Sequence, residues 1–164
     1  MMGLPVELTL HNTSEGLRLR ANPVLELATL RDHRHVIKSQ VLNPGENPLA
    51  GVKGELLEVL AEFTPGAAEE ISFNLRGVAV TYDTKQQTLS CLGKTTALPL
   101  ENGKVRLRML VDRTSVDIFG NDGQLYMPMG VIVALDNKSL AISAKGGAAQ
   151  LHFLETYELK SAWK

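Results

Sequence analysis

Apolar and polar residues alternate with period two through most of this chain. Val6, Leu8 and Leu10 alternate with Glu7 and Thr9, and Leu17 and Leu19 alternate with Arg18 and Arg20; a turn-rich connector, His-Asn-Thr-Ser-Glu-Gly, separates the two runs. Leu57, Val59, Ala61 and Phe63 fall on one face of a third run, with Glu58 and Glu62 on the other. Ile71, Phe73 and Leu75 alternate with Ser72, Asn74 and Arg76, and Val105, Leu107, Met109 and Val111 alternate with Arg106 and Arg108. Successive side chains of a strand point to opposite faces, so each run is predicted to have one buried and one wet side. Such half-buried strands belong to antiparallel sheets.

The residues between the runs agree. Thr64-Pro65-Gly66, Asn102-Gly103, Asn121-Asp122-Gly123 and Gly146-Gly147 are turn sequences, and the Asx-Gly pairs supply the positive φ that tight hairpins need. The pattern predicts an all-β chain of about ten to twelve short strands. Two antiparallel sheets packed face to face would cover their apolar sides, giving a β-sandwich of concanavalin- or jelly-roll-like type. No long linker, repeat or low-complexity tract interrupts it, so residues 4–164 are read as a single domain. Only residues 23–31 have helical spacing, through Val24, Leu27 and Leu30, with Asn22 as a candidate N-cap and Pro23 at the first helical position.

Composition narrows the function classes. A chain of 164 residues can bury roughly 70% of the surface it exposes when unfolded, enough for a core without staples. Seventeen Lys and Arg against eighteen Asp and Glu give a net charge of −1, without the basic excess of a phosphate-tracking surface. Nucleic acid is not an expected partner. Cys91 is the single cysteine, which rules out an intrachain disulfide or a multi-cysteine zinc site. No signal peptide is visible, and no run approaches the ~18 apolar residues of a membrane helix. A soluble chain with no membrane partner and no cofactor is expected.

Several polar clusters invite a chemical reading. Asp112 and Asp117 flank a tight turn at Arg113-Thr114, and glycosidases pair two carboxyl groups about 5–9 Å apart. Turn chemistry accounts for the same residues, with Asp112 accepting backbone N–H groups at the turn. His33 and His35, within Arg31-Asp32-His33-Arg34-His35, share a face if the segment is a strand, as zinc or copper ligands do. No second cluster completes such a site, so a solvated segment is the simpler reading. Cys91 lies between apolar neighbours and reads as core. No Gly-x-Ser-x-Gly, Walker, Gly-x-Gly-x-x-Gly or His-Glu-x-x-His motif is present. Tyr82, Tyr126 and Trp163 are candidate glycan-stacking residues, with Tyr157 near the last of them; Asn74, Gln86, Asn137 and Gln150 are candidate polar partners.

Residues 105–128, Val-Arg-Leu-Arg-Met-Leu-Val-Asp-Arg-Thr-Ser-Val-Asp-Ile-Phe-Gly-Asn-Asp-Gly-Gln-Leu-Tyr-Met-Pro, resemble the C-terminal domain of glycoside hydrolase family 32, the family of levanases, inulinases and invertases. Leu-Pro-Val-Glu-Leu-Thr-Leu at residues 4–10, Glu-Gly-Leu-Arg-Leu at 15–19 and Pro-Val-Leu-Glu-Leu at 23–27 are similar to the segment that opens that domain. Tyr-Glu-Leu-Lys-Ser-Ala-Trp at residues 157–163 is similar to its end. The resemblance implies a β-sandwich that follows a five-bladed β-propeller. The propeller carries the family's nucleophilic Asp in Trp-Met-Asn-Asp-Pro-Asn-Gly, a transition-state Asp in Arg-Asp-Pro and an acid/base Glu in Glu-Cys. Here Arg31-Asp32 is followed by His33, and Cys91 is preceded by Ser90, so no catalytic residue carries over. The implied role is a non-catalytic accessory module of a fructan or sucrose hydrolase that packs on a propeller, with a homo-oligomer as a further arrangement. The alternative is a free-standing carbohydrate-binding module for fructans or other glycans. A module that packs on a partner is expected to expose an apolar patch.

Overall fold

The computed structural model describes residues 4–13 and 16–162. Fourteen strands run through these residues: β1 (Val6–Thr13), β2 (Gly16–Pro23), β3 (Arg31–Ile37), β4 (Gln40–Leu42), β5 (Leu57–Thr64), β6 (Glu70–Leu75), β7 (Val78–Asp83), β8 (Thr88–Cys91), β9 (Lys94–Ala97), β10 (Val105–Val111), β11 (Ser115–Gly120), β12 (Leu125–Gly130), β13 (Leu140–Lys145) and β14 (Ala149–Leu159). The count exceeds the sequence expectation because pieces as short as β4, β8 and β9 are too brief to show an alternation of their own.

Two antiparallel sheets form a sandwich. One has seven strands in the order β12-β11-β10-β5-β14-β3, with β4 also on β14; the other has five in the order β13-β6-β7-β8-β9. The alternating residues of β5 face inward, and Leu57, Val59, Ala61 and Phe63 are all buried. They meet Ile71, Phe73 and Leu75 of β6 and Val78, Val80 and Tyr82 of β7 in one continuous core. The rings of Phe63 and Phe73 lie 6.4 Å apart and those of Phe63 and Tyr82 5.9 Å apart, bridging the sheets.

The turns are where the sequence placed them. Asn102 and Gly103 both take positive φ, 53° and 75°, between Glu101 and Lys104, which exchange backbone hydrogen bonds. Asn121, Asp122 and Gly123 follow with φ of 45°, 54° and 86°, turning β11 into β12.

The expected helix is a 3-10 helix over Leu25–Leu30, with Val24 at its N-terminal flank and no side-chain cap. Asn22 and Pro23 belong instead to β2, and Asn22 donates its amide to the Asp122 carbonyl at 3.1 Å. With its side chain engaged across the molecule, Asn22 does not cap.

Two further side chains depart from the simple alternation. Glu58, on the expected wet side of β5, is fully buried, and Arg76, just beyond β6, is also buried. The leucines of β1 and β2 go the other way. The two strands pair only with each other, no sheet covers the apolar face of this hairpin, and Leu8, Leu10, Leu17 and Leu19 are 58–64% exposed.

Candidate functional site

The outer face of the seven-stranded sheet carries a cross-strand ion network. Opposite signs alternate on neighbouring strands, Glu58 and Glu62 on β5 against Arg106 and Arg108 on β10, in a register that pairs Arg106 with Glu62 directly. Glu58 accepts two bonds from Arg31, at 2.6 and 2.9 Å, and one from Arg108 at 2.6 Å. Arg31 also lies over the Tyr157 ring, 4.3 Å from its centroid. Glu62 accepts from Lys104 and Arg106, each at 2.8 Å, and those bonds hold its carboxyl below the usual range against the opposing effect of burial. Arg34 does the same for Glu155 through a 2.6 Å bond. The signal of this network in the sequence is the charged phase of the alternation on β5 and β10, which does not by itself bring in Arg31 or Lys104.

Beside it, Phe119 and Tyr126 stack with centroids 4.6 Å apart and planes inclined by 11°. The Tyr126 hydroxyl donates to the buried Asp117 carboxylate at 3.0 Å, and Ser115 donates to the same group at 3.1 Å. Burial, reinforced by the Asp117 carboxylate, pushes the Tyr126 hydroxyl up to about 12. Asp117 faces Leu110 across β10 and β11. Asp112 lies at the exposed turn and accepts the Arg113 N–H at 2.7 Å, the turn role read from the sequence. Asp112 and Asp117 therefore have separate hydrogen-bonding tasks.

The other candidates are scattered. His33 and His35 sit on the edge strand β3 and line a shallow pocket of about 440 Å³ with Lys53, Leu57, Thr156 and Glu158. The His33 ring is 82% exposed, and no group of three or more metal-ligating side chains converges among the described residues. Cys91 is buried, and burial pushes its thiol up, away from thiolate.

Tyr82 is a correction to the glycan platform. It is fully buried, its hydroxyl donates to the Leu98 carbonyl at 3.0 Å, and burial followed by the Asp83 charge pushes that hydroxyl up to about 12. No part of it reaches a ligand at the surface. Tyr126 belongs to the opposite sheet, and Trp163 lies outside the described residues. Asn74 and Asn137 are engaged in capping adjacent turns, and Gln150 bonds Ser39, Gln40 and Leu151.

The β1–β2 hairpin is latched at one end. Ala21 donates its N–H to the Gly123 carbonyl at 3.0 Å, and Arg20 reaches Glu101 at 3.5 Å. A Cβ on Gly123 would stand 2.6 Å from the Ala21 carbonyl oxygen and 2.7 Å from Asn22 Nδ2, so the approach depends on glycine.

The family described as Glycosyl hydrolases family 32 C terminal matches residues 26–160. The chain belongs to that family. This family 32 C-terminal domain is 35% identical over 185 residues to a levanase of Bacillus subtilis (strain 168), a match covering 98% of this chain and 27% of the levanase. It is 24% identical over 165 residues to a sucrose-6-phosphate hydrolase of Staphylococcus xylosus, covering 90% of this chain and 33% of that protein. Among solved structures it is similar to an exo-inulinase from Aspergillus awamori, with a TM-score of 0.80, 18% identity, and coverage of 98% of this chain and 36% of the inulinase. The family 32 domain thus spans only about a third or less of the curated relatives it matches.

Proposed function

We propose that this chain is the accessory module of a levanase-, inulinase- or invertase-like hydrolase of fructans or sucrose, non-catalytic on its own, and that it packs on a β-propeller catalytic domain and stabilises it. The observation that carries this reading is coverage. Relatives named for hydrolysis extend far beyond the match, which takes in 27% and 33% of their lengths, and the matched family is defined as a C-terminal one. The carboxylates add support. Retaining and inverting hydrolysis both need two carboxyl groups flanking the scissile bond, whereas Glu58, Glu62, Asp117 and Glu155 are each held by cations or hydroxyls of the fold itself. The glycan-binding reading retains Tyr126 and Tyr157 among the described aromatic candidates; the first ring already stacks on Phe119 and the second is covered by Arg31.

The test is to incubate the purified chain with levan, inulin and sucrose and assay reducing sugar, with calorimetry in parallel. The proposal expects no release above the buffer rate. Release by the chain alone would overturn it, and saturable binding without release would favour a carbohydrate-binding module.

A further inference from the structure

The chain's eight asparagines differ sharply in their exposure to deamidation. That reaction needs the backbone nitrogen after an asparagine to reach the side-chain carbonyl carbon. Proline, with no N–H, blocks it, and glycine, with the freest backbone, favours it. Asn22, Asn43 and Asn47 precede Pro23, Pro44 and Pro48. Asn121 is fully buried, its Oδ1 accepting from the Arg106 N–H at 3.0 Å and its Nδ2 donating to the Pro99 carbonyl at 2.7 Å. The Oδ1 of Asn74 accepts from the Gly77 N–H, and that of Asn137 from the N–H and hydroxyl of Ser139. Asn12 lies within β1 and precedes the β-branched Thr13.

Asn102 has none of these restraints. It precedes Gly103, the one Asn-Gly pair in the sequence. Both residues are exposed, and the Asn102 amide bonds to no other group among the described residues. Glu101 and Lys104 exchange the two backbone bonds of the turn, at 2.9 and 3.1 Å, which leaves the Gly103 N–H outside them. A Cβ on Gly103 would meet nothing within 4 Å, so the peptide there can rotate toward the Asn102 side chain without striking a neighbour. The related pair Asp122-Gly123 is held instead: Asp122 bonds Arg106 at 2.6 Å, and the Gly123 N–H donates to the Gly120 carbonyl at 3.1 Å.

We propose that Asn102 is a site of spontaneous deamidation, through which the turn before β10 comes to carry aspartate or isoaspartate. The Gly103 nitrogen forms a bond to Asn102 Cγ as the Cγ–Nδ2 bond breaks. Its proton leaves with the amide nitrogen as ammonia, and a succinimide ring closes. Water then opens the ring, at the side-chain carbonyl to give aspartate or at the main-chain carbonyl to give isoaspartate. Either product places a negative charge beside Glu101, whose carboxylate accepts from Arg20, Arg106 and Gln124 at 3.5, 3.4 and 3.1 Å. Isoaspartate also adds a methylene to the main chain of a two-residue turn, so Glu101 and Lys104 lose their register.

In the test, the whole chain is held at pH 8 and at pH 5 for several weeks, beside Asn102→Gln and Asn102→Asp variants shown by circular dichroism to be folded. Trypsin releases residues 95–104 as a peptide whose one asparagine is Asn102, so a mass gain of about 1 Da in it reports this site alone. That peptide should convert at least about tenfold faster than any peptide bearing another asparagine, and faster at pH 8 than at pH 5. Intact wild type should gain an acidic species on ion exchange, part of it eluting with Asn102→Asp and part accepting methyl groups from an isoaspartyl methyltransferase. Asn102→Gln should form neither. Conversion led by another asparagine, or an acidic species that Asn102→Gln forms as fast as wild type, would overturn the assignment. So would a 95–104 peptide that stays intact in the folded chain and converts only in urea, since the turn would then protect its amide. The peptide measurement uses wild type alone and decides the matter even if a variant fails to fold.

Discussion

Arg76 closes the β6–β7 hairpin at a φ of 55° and is buried, its guanidinium donating to the carbonyls of Asn137, Glu55 and Ala134 at 2.8, 2.6 and 3.1 Å. One side chain thus ties together the loop before β5, the turn after β6 and the loop before β13. Arg76→Ala would leave three carbonyls short of a donor in a buried place, and should lower stability by about 2–4 kcal/mol, read as a shift of the urea midpoint; a midpoint within about 0.5 kcal/mol of wild type would refute this role. Glu62 makes a prediction of opposite kind. Its carboxyl is held below the ordinary carboxylate range by the bonds from Lys104 and Arg106, so the unfolded chain takes up the proton at higher pH than the folded one. The stabilisation is present at neutral pH and is lost as pH falls from about 4.5 through the lower folded value. Urea midpoints measured from pH 7 to pH 3 should fall for wild type and fall less steeply for Glu62→Gln; parallel profiles would contradict the argument. Tyr82 shows what was legible at this scale and overlooked. It shares the phase of Val78 and Val80 along β7, a direct signal of the core, yet its aromatic chemistry drew a surface reading. Glu58 carried no such signal, because its burial depends on Arg31 and Arg108 arriving from other strands, which its own run does not encode.

At the scale of elements, β5 and β10 were readable because both are central and long enough to repeat their alternation. The helical reading of residues 23–31 was right in place but wrong in start and type, since the geometry there is set by the crossing from β2 to β3. The hairpin was readable as two strands and a turn, and its alternation was correct. Which face meets the sandwich was not readable, because the latch of Ala21 and Asn22 on the β11–β12 turn joins residues about a hundred positions apart. The β11–β12 turn is the element on which the hairpin's orientation depends. Gly123 combines a φ of 86° with backbone approach from Ala21, so Gly123→Ala should cost about 1–3 kcal/mol and loosen the latch. Hydrogen exchange should then accelerate at the Ala21 amide and along residues 16–23 while β5 and β10 stay protected. Unchanged exchange at Ala21 would show that the latch does not hold the hairpin.

At the scale of the whole molecule, three features bear on the proposed accessory role. The core is continuous across both sheets, the carboxylates near the sheet centre are neutralised by arginine and lysine, and four leucines form an exposed apolar face on the latched hairpin. Family membership was legible because the 105–128 segment and both ends of the domain kept their order. The glycan platform was not, since stacking needs rings on one surface and the sequence spreads them over two sheets. A partner that binds the folded catalytic domain and not its unfolded chain must raise that domain's stability, by an amount that grows with concentration. The most direct measurement is therefore the melting temperature of the Bacillus subtilis levanase catalytic segment as this chain is added. A stabilising accessory module should produce a rise that increases with added chain and saturates, with no levan hydrolysis by the chain alone. A melting temperature that does not move at any concentration would contradict it.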